Sequence, residues 1–290
     1  MDHGTKRGFS VHGAEHPRFP VLISVPHAGR DYPRELFENL RIPAASLVRL
    51  EDRYADLLAR DAVRQGFPTI MAHRARAWID LNRHEDDLDV EMVSGYERKD
   101  RPVPGAKQRG GLGLIPRRLS GEGDIWKRPF PMDDLNERLD SFHRPYHAMI
   151  NRLLGAMRDR FGIAILLDLH IMPLISPTHS ALPPRFVIGD RFGSSASGRF
   201  AEMMLTRLRD TGFPVALNHP YSGDHILRHH GKVAHNIHAL QLEVDRSLYL
   251  DMALREPAPE VTQIARTISS LAHCLAEAAG GTGEMLLAAE

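Results

Sequence analysis

The sequence predicts an α/β protein, a mostly parallel sheet covered by helices. Two observations carry this. Short apolar runs rich in β-branched residues alternate with stretches whose apolar residues recur at helical spacing, the pattern of strands connected through helices. The runs are also closed by turn and stop residues, and no internal repeat, heptad run or low-complexity segment competes with the reading.

Val21-Leu22-Ile23-Ser24-Val25 reads as a buried strand stopped by Pro26, with His27 following at once. Tyr54, Leu57, Leu58, Ala62 and Val63 have helical spacing over residues 52–65, and Gly66 is the stop. Residues 69–72 and 77–81 are strand-like runs joined by an arginine-rich turn. Residues 84–132 are polar, hold five prolines and Gly110-Gly111, and show no sustained period, so they read as a long loop-rich insertion. Residues 133–161 read as one long helix or a broken pair, with Pro145 marking a kink. The run 163–167 is a central strand leading into Asp168-Leu169-His170. Strands at 186–188, 215–217 and 239–244 alternate with helices at 195–211 and 259–278. The chain is expected to form a single catalytic domain over residues 1–290, with a mobile tail after about residue 279.

Composition narrows the function. Lys plus Arg and Asp plus Glu both total 37, so no global field favours nucleic acid or an anionic membrane, and an anionic substrate must be held by local arginines. The first residues lack a leader-like apolar stretch and no run approaches the roughly 20 apolar residues of a membrane span, which makes a cytoplasmic location the expectation. The single cysteine, Cys274, excludes an internal disulfide and a multi-cysteine zinc site.

Three groups with catalytic chemistry fall at strand ends: His27, His170 and Glu243. In open α/β sheets ligands bind beyond the carboxyl ends of the strands, so these can converge on one crevice. A catalytic zinc takes three His and carboxylate ligands and keeps a position open. His27 and His170 supply two, and the Glu51-Asp52 pair offers the third, Asp52 being favoured and Glu51 held in reserve. Glu243 is then the group that takes a proton from the attacking water and passes it to the leaving amine.

Six segments in order, Ser24-Val25-Pro26-His27-Ala28-Gly29, Glu51 to Leu58, Arg76-Ala77-Trp78-Ile79-Asp80-Leu81-Asn82-Arg83, Asp168-Leu169-His170, Asn218-His219-Pro220-Tyr221-Ser222-Gly223 and Gln241 to Tyr249, resemble the motifs of the N-formylglutamate amidohydrolase family. That family is similar to the zinc carboxypeptidases and aspartoacylase, and the resemblance implies a three-layer α/β/α fold with a central mixed, mostly parallel sheet, a phosphorylase/hydrolase-like zinc-peptidase architecture. It assigns zinc to His27, Asp52 and His170 and the proton transfers to Glu243. Arg76, Asn82 and Arg83 would bind substrate carboxylate and polarise the acyl oxygen, with Arg76 acting in catalysis. Asn218 and Gly223 would line the pocket. The chain departs from the wider superfamily by placing Arg30 three residues after the first histidine, where a Glu is frequent.

The implied reaction is zinc-dependent hydrolysis of N-formyl-L-glutamate or a related N-acyl amino acid to formate and the free amino acid, a step of histidine degradation. One Zn2+ per chain is expected, and Mn2+ or Co2+ also suits such ligands. The implied partner is a small-molecule substrate, with neither nucleic acid nor membrane. A peptidase or cell-wall amidase on the same fold is the alternative enzyme, and a catalytically silent binding protein for an amino-acid derivative is the alternative of another class. His225 and His229 have the spacing of a helical metal pair, but the His-Glu-x-x-His arrangement is absent and the segment is similar to the family's glycine-containing lid.

Overall fold

The computed structural model describes residues 8–15, 17–95, 105–176 and 182–287, the side chains of 106 and 281–287 excepted. Residues 96–104 of the expected insertion and 288–290 of the expected tail lie outside the described residues. The chain divides into two compact units, the first made of Met1–Ser10, Pro26–Glu51 and Ala72–Met149, the second of Val11–Val25, Asp52–Met71 and Ile150–Glu290.

A seven-stranded sheet organises the second unit. Its strands in chain order are β1 (Phe9–His12), β2 (Val21–Val25), β3 (Thr69–Ala72), β4 (Ala164–Met172), β5 (Phe186–Gly189), β6 (Val215–Leu217) and β7 (Ile237–Asp245). Their spatial order is β1-β3-β2-β4-β7-β5-β6. Parallel pairing joins β3 to β2, β2 to β4, β4 to β7 and β5 to β6, and β7 pairs antiparallel with β5. The sheet is therefore mixed and mostly parallel, as the sequence predicts. Every residue of β2, β4 and β7 is buried, which explains why their sequences read as nearly continuous apolar runs.

The principal helices are α1 (Ala55–Arg64), α2 (Arg144–Phe161), α3 (Gly198–Arg209), α4 (His225–His230) and α5 (Val261–Leu287). Helix α1 buries Ala55, Leu58, Ala59 and Ala62 on one face, the stripe that helical spacing dictates. It packs with α5, and α5 packs in turn with α3. No described helix is long and apolar enough to cross a membrane.

The first unit is built from short elements: helices Arg34–Glu38 and Met132–Arg138, a 3-10 helix Ala44–Leu50, and two-residue strand pairs at Val93–Ser94 with Phe130–Pro131 and Arg118–Leu119 with Gly123–Asp124. One local expectation needs correction here. Residues 77–81 form no strand. Their carbonyls and those that follow are taken by side chains: Trp78 O accepts from Arg138, Leu81 O lies 3.0 Å from His147 Nε2, Asn82 O accepts from Arg83 and Arg83 O lies 2.8 Å from His143 Nε2. A backbone whose acceptors are satisfied in this way needs no ladder to be buried. Of the two readings of residues 133–161, one long helix is the outcome: Met132–Arg138 continues without a break into α2. Leu139–His143 widens into a π-helical turn leading into α2, where the absence of a proline N–H is tolerated.

Arg138 anchors this region. Its side chain is buried, with the guanidinium carbon 3.6 Å from the Trp78 ring centroid and 4.0 Å from that of Phe130. Burial pulls its pKa down to about 10, against the nearby charges of Asp134 and Glu137. A cation desolvated between two aromatic faces is held by their quadrupoles, and it fixes the course of the chain at Trp78.

Candidate active site

In the second unit, the face shared by β2, β4 and β7 carries a polar stripe. Ser24 is the register partner of Asp168, Asp168 of Gln241, and His170 of Glu243. Register partners on neighbouring strands project to the same side, and residues two apart return to it, so these five side chains share one face of the sheet. All are buried. Polar groups so placed must satisfy one another. Ser24 Oγ donates to Asp168 Oδ1 at 2.8 Å, Asp168 Oδ2 lies 2.8 Å from His170 Nε2, and Gln241 Nε2 donates to Glu243 Oε1 at 2.8 Å.

Asp52, which precedes α1, reaches the other ring nitrogen of His170, with Oδ2 3.1 Å from Nδ1. Burial by itself would lower the imidazole pKa, but the two carboxylates, Asp168 ahead of Asp52, hold it well above the ordinary histidine range. Strand β4 runs to Met172, so His170 lies within the strand and not beyond its end as the sequence suggests. The polar alternation Asp168, His170 inside an otherwise apolar run is the signal that the strand continues.

The hub of the first unit is Asp80, to which the sequence reading gives no role. It is fully buried. Its Oδ1 lies 2.7 Å from His27 Nε2 and accepts from the Asn82 backbone N–H at 2.8 Å, and its Oδ2 accepts from Arg76 Nε at 2.8 Å. Burial pushes this carboxyl up, yet the charges of Arg76, His27 and Arg83 outweigh it and leave it well below the usual carboxylate range. A carboxylate only accepts, so His27 Nε2 carries a proton. Gly29 two residues later has its place fixed by crowding: a Cβ there would lie 2.1 Å from Arg74 O.

The remaining predicted residues have definite local positions. Glu51 is buried and accepts from the Tyr32 hydroxyl. Arg83 is buried, donating from Nε to Leu112 O and from Nη1 to Asn82 O. Asn218, at φ 63, donates to Asp190 Oδ1 at 2.7 Å and accepts from the Asp190 N–H at 3.1 Å, which organises the turn after β5. Gly223, at φ 98, lies against Leu227, whose Cδ2 would be 2.3 Å from an added Cβ. His143 and His147 face backbone carbonyls as helix-packing histidines do, and the His225 and His229 rings lie 5.2 Å apart on α4.

Buried side chains of the kind that can hold a metal ion are present: His27 in the first unit, and His170 with Asp52 in the second. Two donors about 2.0–2.1 Å from a tetrahedral ion lie about 3.3 Å apart, close to the 3.1 Å between His170 Nδ1 and Asp52 Oδ2. In both histidines Nε2 is the nitrogen held by an aspartate, Asp80 or Asp168, the outer-shell arrangement that fixes tautomer and ring orientation in metal sites.

Comparison with known proteins agrees with this chemistry. Residues 19–250 match the family model described as N-formylglutamate amidohydrolase. The chain is 32% identical over 257 residues to the N-formylglutamate deformylase of Pseudomonas putida, covering 85% of this chain and 89% of that protein. It is 27% identical over 238 residues to the N-formylglutamate deformylase of Pseudomonas aeruginosa, covering 81% and 83%. The crystal structure of N-formylglutamate amidohydrolase from Ralstonia eutropha JMP134 superposes with a TM-score of 0.85 at 29% identity, over 94% of this chain and 98% of that one. With the family model spanning most of the sequence and a relative above 30% identity over most of both chains, this amidohydrolase belongs to the N-formylglutamate amidohydrolase family.

Proposed function

We propose that the chain hydrolyses the amide of N-formyl-L-glutamate or a close N-acyl amino acid. Water adds to the acyl carbon, the C–N bond breaks, and the proton lost by the water ends on the leaving nitrogen, giving formate, or the corresponding acid, and the free amino acid. The observation that carries this reading is the pairing of His170 with Glu243 on one face of two buried strands, with Asp52 on the imidazole. A proton carrier beside a candidate ligand pair is what metal-assisted amide hydrolysis requires. The relatives named above act on N-formylglutamate by their names.

His27, Asp52 and His170 would hold one divalent ion, zinc by the chemistry of the donor set. The support is local: His27 follows Val25 by two residues at the carboxyl end of β2, which is parallel to the β4 that bears His170. Asp52 is preferred to Glu51 because it already pairs with His170, whereas Glu51 is engaged by Tyr32. When bound, such an ion polarises the acyl oxygen and acidifies the attacking water.

The chain's own residues do the rest. Glu243, held by Gln241, accepts the water's proton and returns it to the amine. Arg76, aimed by Asp80, stabilises the charge developing on the acyl oxygen. Asn82 and Arg83 hold substrate carboxylate. Asn218 and Gly223 line the pocket wall. A place in histidine degradation and a cytoplasmic location go with this substrate.

The test is elemental analysis of the purified protein together with amine release from a panel of N-acyl amino acids. About one zinc per chain and a preference for N-formyl-L-glutamate are expected. The variant His170→Ala should lose both metal and turnover. The reading fails if the protein, saturated with zinc, releases no amine from any member of the panel.

A further inference from the structure

Strand β7 ends at Asp245, and the next residue is an arginine to which neither the sequence reading nor the reaction above gives a role. Asp245 is buried. Its Oδ1 accepts from the N–H and the hydroxyl of Ser247, both at 2.9 Å, which caps the 3-10 turn Arg246–Leu248. Its Oδ2 lies 2.8 Å from Arg185 Nε, an ion pair whose geometry falls short of a hydrogen bond. The carboxylate adjacent to Arg246 is therefore neutralised by a different arginine.

Arg246 is half-buried and its Nε is shielded from solvent without a hydrogen-bond acceptor. Among the described residues no carboxylate forms an ion pair with its guanidinium. Burying part of a guanidinium without a partner is costly, and such a group is retained where a ligand supplies the missing acceptor. The other candidates differ: Arg76 has Asp80 on its Nε, and Arg83 has two backbone carbonyls.

The surroundings of Arg246 are those of the site. It lies three residues beyond Glu243 at the same end of β7. Tyr221 is half-buried and its hydroxyl pKa is raised by burial and then by Glu243, while Arg246 lowers it. Tyr249 is raised by burial and then by Asp52, and again Arg246 opposes. One guanidinium is thus near enough to act electrostatically on both the tyrosine that feels Glu243 and the tyrosine that feels Asp52. The Tyr249 hydroxyl is spent on Arg53 O at 2.6 Å. The Tyr221 hydroxyl has no hydrogen-bond partner among the described residues.

We propose that Arg246 is a carboxylate-binding residue of the substrate site, gripping a carboxylate of the N-acyl amino acid through two parallel N–H···O bonds while the Tyr221 hydroxyl donates beside it. The planar fork suits this contact in a way a lysine ammonium does not. The inference rests on the proposed reaction for its substrate, and a binding measurement separates the two.

Calorimetric titration of the zinc-loaded protein with L-glutamate reads the contact without turnover. Arg246→Met should weaken L-glutamate binding about 10- to 100-fold, the usual scale for charge-assisted hydrogen bonds, and raise KM for N-formyl-L-glutamate by a similar factor with kcat within a few-fold. Arg246→Lys, which keeps the charge and guards against misfolding of the first variant, should recover only part of this. N-formyl-L-glutamine and N-formyl-L-isoglutamine, each lacking one carboxylate, identify which is gripped: the analogue whose kinetics ignore the substitution lacks the carboxylate that Arg246 holds. Unchanged L-glutamate affinity and KM in both variants would overturn the inference, as would equal losses with both amides. Wild-type protein that binds L-glutamate but releases no formate would sink the proposed reaction and leave the binding residue standing.

Discussion

The strands β4 and β7 and the segment 73–83 both deliver charged side chains to buried positions, but they hold them by opposite means. On the strands, position is set by the backbone: Asp168, His170, Gln241 and Glu243 share a face because the ladder registers them, and their hydrogen bonds join neighbours already aligned. In the segment 73–83 backbone bridging ends with Arg74, and beyond it Arg76 and the Asn82 backbone, together with His27, are held by the one carboxylate of Asp80. Ladder-held groups tolerate loss of one partner because the backbone keeps its path. A group held by a hub loses its position when the hub goes.

The largest effect should come from the strand side with no effect on folding. Glu243→Gln keeps an acceptor for Gln241 and removes the titrating oxygen, so kcat should fall by about 10²- to 10⁴-fold at unchanged melting temperature and metal content. A variant retaining more than roughly a tenth of wild-type activity would remove Glu243 from the proton transfers.

Asp80→Asn probes the hub. It keeps the shape but leaves Arg76 and the His27 N–H without their charged acceptor, and the cost should be about 3–5 kcal/mol of stability, as for a broken buried pair. Denaturant unfolding measures it, and activity should fall in the folded fraction as well. A loss below about 1 kcal/mol would show that segment 73–83 is held by backbone contacts, as the strands are.

Ser24→Ala removes one bond from the strand stripe. Asp168 keeps its contact with His170, so a loss of about 1–2 kcal/mol is expected, with turnover nearly intact. A loss equal to that of Asp80→Asn would erase the distinction between the two regions.

The smallest effect is a pH dependence remote from the site. His238 on β7 receives a hydrogen bond from the Ser197 N–H on Nδ1 at 3.2 Å, which requires that nitrogen to be unprotonated. Burial, aided by Arg199, lowers its pKa to about 4. Because the folded state refuses a proton that the unfolded chain accepts, this contribution to stability is complete above the ordinary histidine pKa of about 6.5. It declines as pH falls from there toward 4. His238→Gln, with a non-titrating acceptor, should flatten that part of the stability profile, and an unaltered slope would refute the assignment.

Much of the fold was legible because the strands are buried on both faces and the helices on one, so that β3 and β6 stand where their apolar runs predict and β2 fills its run exactly as read from residue 21 to 25. The segment 77–81 was misread as a strand for the same reason. It is largely apolar and buried, but its Trp78 and Leu81 carbonyls are met by side chains of Arg138 and His147, which no local pattern reveals. His170 and Glu243 were visible as polar interruptions of apolar runs. The hub role of Asp80 and the unmatched guanidinium of Arg246 were not, since both depend on which partners distant residues have already taken.

By itself, then, the sequence determined which segments are buried, which residue types could do the chemistry and which family they resemble, because periodicity and residue identity are local properties. Only the tertiary structure decided register and partnership: that His170 stands beside Glu243, that Asp52 rather than Glu51 meets its ring, and that Asp245 is claimed by Arg185. A buried charge takes its pKa and its role from neighbours far away in the chain, and those neighbours exist only once the chain has folded.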